Sequence, residues 1–148
     1  MNLEEKIMAD MKAAMKAKDK VSLRGIRAIK AALILAKTDG SGEEMTAEKE
    51  IKIVQKMVKQ RKDSLSIYKE QGREDLAAVE AEEIEVISRY LPEQLSEDKI
   101  KEIVSGIISD LGAERMKDMG KVMGVASKKL AGSADGKALA AVVRQLLA

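Results

Sequence analysis

Apolar residues recur every three or four positions along almost the whole chain, the spacing that places side chains on one face of an α-helix. Leu3, Ile7, Met11 and Met15 share such a face behind a capping box of Asn2 with Glu5, which predicts a first helix over about 3–17. Asp19 can cap a second helix with Leu23, Ile26, Ile29 and Leu33 inward, ending in a flexible loop at Thr38-Asp39-Gly40-Ser41-Gly42. Gly25 inside that helix costs about 1 kcal/mol relative to Ala, so a close helix crossing is expected there. Thr46 caps the longest helix, 47–71, whose core stripe is Ile51, Val54, Val58, Leu65 and Tyr68. Gly72 ends it, and the fourth helix, 74–90, turns Leu76, Val79, Ile84 and Ile87 inward, so the two form an antiparallel hairpin.

The single proline then breaks the pattern. Pro92 disfavours helical geometry at Leu91 and donates no backbone hydrogen bond, and Ser96 offers an oxygen to cap the next helix. Tyr90, Pro92 and Ser96 are therefore read as a structural hinge between residues 1–91 and 92–148. Beyond it, Ile100, Ile103, Ile107 and Leu111 predict a helix stopped by Gly112. A second, capped by Asp118, carries Val122, Met123, Ala126 and Leu130 and stops at Gly132. A third, capped by Asp135, carries Leu139, Val142, Val143 and Leu146. The fold class is all-α: an N-terminal four-helix domain with a long hairpin, then a small three-helix domain.

Composition narrows the chemistry. The chain has no Cys, no His, two Tyr, no Trp and no Phe. There is then no imidazole base, no thiolate nucleophile, no disulfide and none of the commonest zinc ligands. Neither a metal nor a cofactor is expected, and no catalytic residue is assigned. No apolar run is long enough to span a bilayer. The absence of Cys, together with Glu4, Glu5 and Asp10 interrupting the first helix where a transit peptide would be Arg-rich, gives a cytoplasmic expectation.

Net charge is only +2, but residues 1–73 and 115–148 are basic while 74–114 are acidic. The clearest feature is Lys49, Lys52, Lys56 and Lys59, which fall within about 80° of arc on the side of the long helix away from its core stripe. Two readings fit: a row that follows a phosphate backbone, or a solvated face paired with Glu80, Glu82, Glu83 and Glu85. Arg61 falls at the edge of the apolar face and is expected in a structural ion pair, with Asp63 or with a carboxylate of the fourth helix. Gly132-Ser133-Ala134-Asp135-Gly136-Lys137 fails as a Walker loop, which needs four residues between its glycines and Ser or Thr after Lys. It leaves a helix N-terminus, with Asp135 and Gly136 structural and Lys137 able to meet one phosphate or carboxylate. Gly120 and Gly124, four apart, are expected to admit a close helix neighbour.

Taken together and in order, Arg61-Lys62-Asp63-Ser64, Gly72-Arg73-Glu74-Asp75-Leu76, the segment at Pro92, Asp118-Met119-Gly120-Lys121-Val122-Met123-Gly124 and Ala134-Asp135-Gly136-Lys137 resemble the GatB/YqeY family, specifically its free-standing YqeY-like proteins. The resemblance implies that 92–148 is similar to the tail domain of the GatB subunit of aspartyl/glutamyl-tRNA amidotransferase, a part that helps hold tRNA while the chemistry belongs elsewhere. One departure is Ser133, where many relatives carry Arg, so no nucleic-acid contact is carried over to that position. The expected function is a non-catalytic tRNA-binding or amidotransferase-associated accessory module, with tRNA, amidotransferase subunits or other tRNA-handling proteins as partners. The candidate RNA-binding residues are Lys49, Lys52, Lys56, Lys59, Lys117, Lys121, Lys128 and Lys137. With so few aromatics, recognition would go through phosphates and shape. Two alternatives stay open: a helical protein–protein adaptor without RNA binding, and a carbon–nitrogen ligase activity, with glutamine as amido donor, only within a larger complex.

Overall fold

The computed structural model describes residues 2–40, 42 and 44–148. Among them there are seven α-helices and no strand, the all-α class that the periodicity predicts. Contacts divide the chain into two compact units, Met1–Leu91 and Pro92–Ala148. Each unit has its own apolar cluster, and no residue belongs to both.

The first unit holds α1 (Leu3–Ala17), α2 (Lys20–Lys37), α3 (Ala47–Glu70) and α4 (Glu74–Ser88). Short polar side chains satisfy the helix-start N–H groups that have no intrahelical partner. The Glu5 N–H donates to Asn2 Oδ1 at 2.8 Å, the Ser22 N–H to Asp19 Oδ1 at 3.1 Å and the Lys49 N–H to Thr46 Oγ1 at 3.2 Å. Of the loop expected over Thr38–Gly42, Ser41 lies outside the described residues. Helix α2 packs against the other three helices, and α3 and α4 run together as a hairpin. The buried cluster takes Ile7 and Ala14 from α1, Ile26, Ile29 and Leu33 from α2, Val54, Met57 and Val58 from α3, and Val86 and Ile87 from α4. Gly25 sits where α2 crosses α4, and a Cβ built on it would stand 2.6 Å from Val86 Cγ1.

Two expected core positions are exposed. Met15 gives way to Ala14, because a strict four-residue repeat drifts about 40° per step around a helix whereas a seven-residue step from Ile7 returns almost to the same face. Val79 shares a face with Val86, but Val86 meets Gly25 on α2 whereas Val79, two turns earlier, is 39% exposed.

The second unit is a bundle of α5 (Glu97–Leu111), α6 (Met119–Lys129) and α7 (Gly136–Leu147), each packed on the other two. Its core is centred on Val104, Val122, Ala126, Leu139 and Val143. Leu111 and Leu146 are exposed instead of inward; Leu111 is the last residue before the Gly112 turn, and in α7 the buried position of the final turn is Leu147. Ser96 caps α5, its Oγ accepting from the Lys99 N–H at 3.2 Å. The segment after Pro92 is tied down within this unit: Gln94 Nε2 donates to the carbonyls of Pro92 and Gly132, and the Leu95 N–H to that of Ser133.

Asp118 does not cap α6 with its side chain. Residues Met116–Asp118 form a 3-10 turn, and Asp118 Oδ2 accepts from the backbone N–H groups of Glu114 and Arg115, at 3.1 and 3.4 Å. The carboxylate points back along the chain, so these two upstream N–H groups take it in place of the orphan donors at the start of α6.

Candidate nucleic-acid interface

The second unit presents the most distinctive surface. Gly120 and Gly124 lie four apart on α6, both exposed, and a Cβ on either would meet nothing within 4 Å. The expected close helix neighbour is therefore absent; the neighbours of α6 pack on the opposite face, through Val122 and Ala126. Together with Val125 the glycines floor a shallow groove of about 550 Å³, rimmed by Lys121, Lys128 and Lys129. None of these three lysines makes an ion pair among the described residues. Lys129 is the member that sequence reasoning missed. Its signal was adjacency to Lys128 in the last turn of α6, where cations also favour the helix C-terminus.

Lys117 lies on the 3-10 turn, and with Lys121 it acts on the Asp118 carboxylate. The two backbone N–H donors, that of Glu114 foremost, hold this carboxylate below its usual range, assisted by the two lysine charges. Lys137 is the second residue of α7, its N–H donating to Asp135 Oδ1 at 3.4 Å, and it is not among the groove residues.

The lysine row on α3 divides. Lys52 reaches Glu48 of its own helix at 3.5 Å, a highly exposed pair worth little. Lys49 is half-buried and engaged, whereas Lys56 and Lys59 are exposed and make no ion pair among the described residues. The acidic face of α4 does not neutralise the row, because arginines take its carboxylates. Glu82 and Glu83 pair with Arg24 at 2.8 and 3.2 Å, Glu83 also with Arg61 at 2.8 Å, and Glu85 with Arg89 at 3.3 Å.

Arg61 thus uses the α4 carboxylate and not Asp63, and its Nη1 donates to the Met57 carbonyl at 3.2 Å. Because Glu83 is mostly buried and accepts from two guanidinium groups, Glu83→Gln is expected to destabilise the first unit by about 1–2 kcal/mol. Denaturant unfolding in a double-mutant cycle with Arg61→Met measures it, and a coupling energy near zero would contradict the network.

Tyr90 is anchored as well. Its hydroxyl donates to Asp10 Oδ2 at 2.6 Å, and Lys6 Nζ stands 5.4 Å from the ring centroid. Burial, and then the hydrogen bond to Asp10, raise the phenol above its ordinary range. No three metal-capable side chains come together among the described residues. Among the described residues, no helix is long and apolar enough to cross a membrane.

A family model described as Yqey-like protein matches residues 4–147. The chain belongs to this family. Proteins named altered inheritance of mitochondria protein 41, mitochondrial, are similar to it. The one from Clavispora lusitaniae is 34% identical over 110 residues, 72% of this chain and 63% of that protein. The one from Meyerozyma guilliermondii is 38% identical over 122 residues, covering 78% and 62%. The one from Pyrenophora tritici-repentis is 30% identical over 132 residues, covering 87% and 71%. The YqeY-like chain thus spans under two thirds of the length of the first two of these relatives.

These relatives overturn the cytoplasmic expectation, since each is named a mitochondrial protein. The absence of cysteine fits any reducing compartment. The early carboxylates serve the fold: Glu5 completes the capping box of α1, and Glu4 pairs with Lys37 on α2.

Proposed function

We propose that the chain is a non-catalytic module that binds a folded RNA of the tRNA class, with the α6 groove as its principal contact and the α3 lysine row as a second. One observation carries this reading: two exposed glycines inside α6, framed by three lysines without ion pairs among the described residues. Glycine within a helix costs about 0.5–1 kcal/mol relative to alanine, and packing inside the bundle requires neither of these two. A bare backbone between cations suits the approach of a phosphate–sugar backbone. Base stacking has no platform, since the Tyr90 ring is engaged and Tyr68 is half-buried. Resemblance of 92–148 to the amidotransferase tail supports tRNA as the RNA class and amidotransferase subunits or other tRNA-handling proteins as the setting. A second reading, a protein adaptor, draws on exposed Val125 and Met116 in the same unit.

Salt titration of tRNA binding tests the proposal. The log–log slope is expected to lessen by about one unit for each of Lys121, Lys128 and Lys129 changed to Ala. Gly120→Ala with Gly124→Ala is expected to raise the melting temperature while weakening tRNA binding, because the added methyl groups stabilise the helix but fill the groove. Failure to bind tRNA at low salt, or unchanged affinity in the glycine double variant, would sink this reading of the groove.

A further inference from the structure

We infer that a cleft of about 360 Å³ in the first unit, between α1, the start of α2 and the end of α4, is a binding site for a small zwitterion of the α-amino-acid type. The inference is independent of RNA binding and uses different residues. The space exists because the last turns of α1 present only Ala13, Ala14 and Ala17 to the cleft, while the Tyr90–Asp10 hydrogen bond closes one end of it. Its volume is within the range of small-molecule sites.

The charges around the cleft alternate. Lys6 and Arg89 contribute two cations and Asp10 and Asp19 two anions; Glu85 already holds one edge of Arg89, and the lining offers both signs to a ligand that carries both. Arg89 is the natural carboxylate partner. It gives one N–H from Nη1 to Ser22 Oγ at 3.2 Å and one from Nη2 to Glu85 at 3.3 Å, and its remaining three donors can form a bidentate pair. The guanidinium is held from below, because Ser22 Oγ in turn donates to Asp19 Oδ2 at 2.6 Å. Asp10 is the natural ammonium partner: Tyr90 occupies Oδ2, and Oδ1 accepts nothing among the described residues. Between these ends the alanines and Ile26 offer a small aliphatic lining, which suits a short apolar side chain.

Titration of the ¹⁵N-labelled full chain with L-valine tests the site. Amide resonances of Ser22, Arg89 and Tyr90 are expected to shift saturably with a millimolar or tighter midpoint. Isovalerate and isobutylamine, which lack the ammonium and the carboxylate respectively, are expected to bind at least about tenfold more weakly. Ala17 is exposed in the last turn of α1, so Ala17→Leu is expected to keep the melting temperature and abolish the shifts. Arg89→Met, which removes the guanidinium fork, serves as the second variant and is expected to weaken L-valine towards the level of isobutylamine. The proposal is overturned by the absence of saturation, by equal binding of either single-charge analogue, or by undiminished binding in both variants.

Discussion

Gly25→Ala is expected to destabilise the first unit by about 1–3 kcal/mol, although alanine is the better helix former by about 1 kcal/mol. The added Cβ would lie 2.6 Å from Val86 Cγ1 and 2.8 Å from Val86 Cβ, so α2 and α4 must separate or Val86 must move. Room is scarce, because Val86 is 1% exposed and Ile87 beside it is fully buried. Val86→Ala should recover only part of the loss, since the Val86 Cβ is itself one of the clashing atoms; Val86→Gly should recover more of the steric part. Urea unfolding measures this as a lowered midpoint at unchanged slope. A Gly25→Ala variant as stable as the parent would mean that the crossing is looser than the geometry describes.

Leu139→Ala is expected to have the largest effect in the second unit. Leu139 is 1% exposed within a cluster drawn from α5, α6 and α7, and truncating a buried leucine costs about 2–5 kcal/mol. A unit as small as Pro92–Ala148 holds only about 3–5 kcal/mol from its core, so one truncation consumes most of it. Hydrogen exchange should show amides of 97–147 losing protection while those of α1 to α4 keep theirs, because the two apolar clusters share no residue. Leu146→Ala, at an exposed neighbouring position, is the control and should change stability by no more than about 0.5 kcal/mol. Equal effects of the two substitutions would refute the burial pattern of α7.

Helix starts were legible because capping depends on a few residues close in sequence. Asn2, Asp19, Thr46, Ser96 and Asp135 each accept from a backbone N–H two or three residues on. Gly25 was legible for a related reason, since a glycine inside a strong helix pattern asks for an explanation and a crossing helix supplies one. The same inference failed at Gly120 and Gly124, because spacing alone does not say which way a helix face points. Asp118 failed because two backbone donors upstream competed for its carboxylate. The partners of the α3 lysines were also out of reach. Choosing between lysine and arginine for Glu82 and Glu83 depends on how α2 lies against α4, a tertiary relation that no local pattern carries.

The burial profile of α3 has a kinetic consequence. Its buried residues are Val54, Met57 and Val58, and beyond Arg61 the helix continues to Glu70 without a single one. Amides over 62–70 are therefore expected to exchange with solvent through local fraying, and those near 54–58 only through opening of the whole unit. Lys52, Lys56 and Lys59 lie beside the slow segment. A partner meeting that row would find its backbone already ordered, so the entropy lost on contact would be that of the exposed lysine side chains alone.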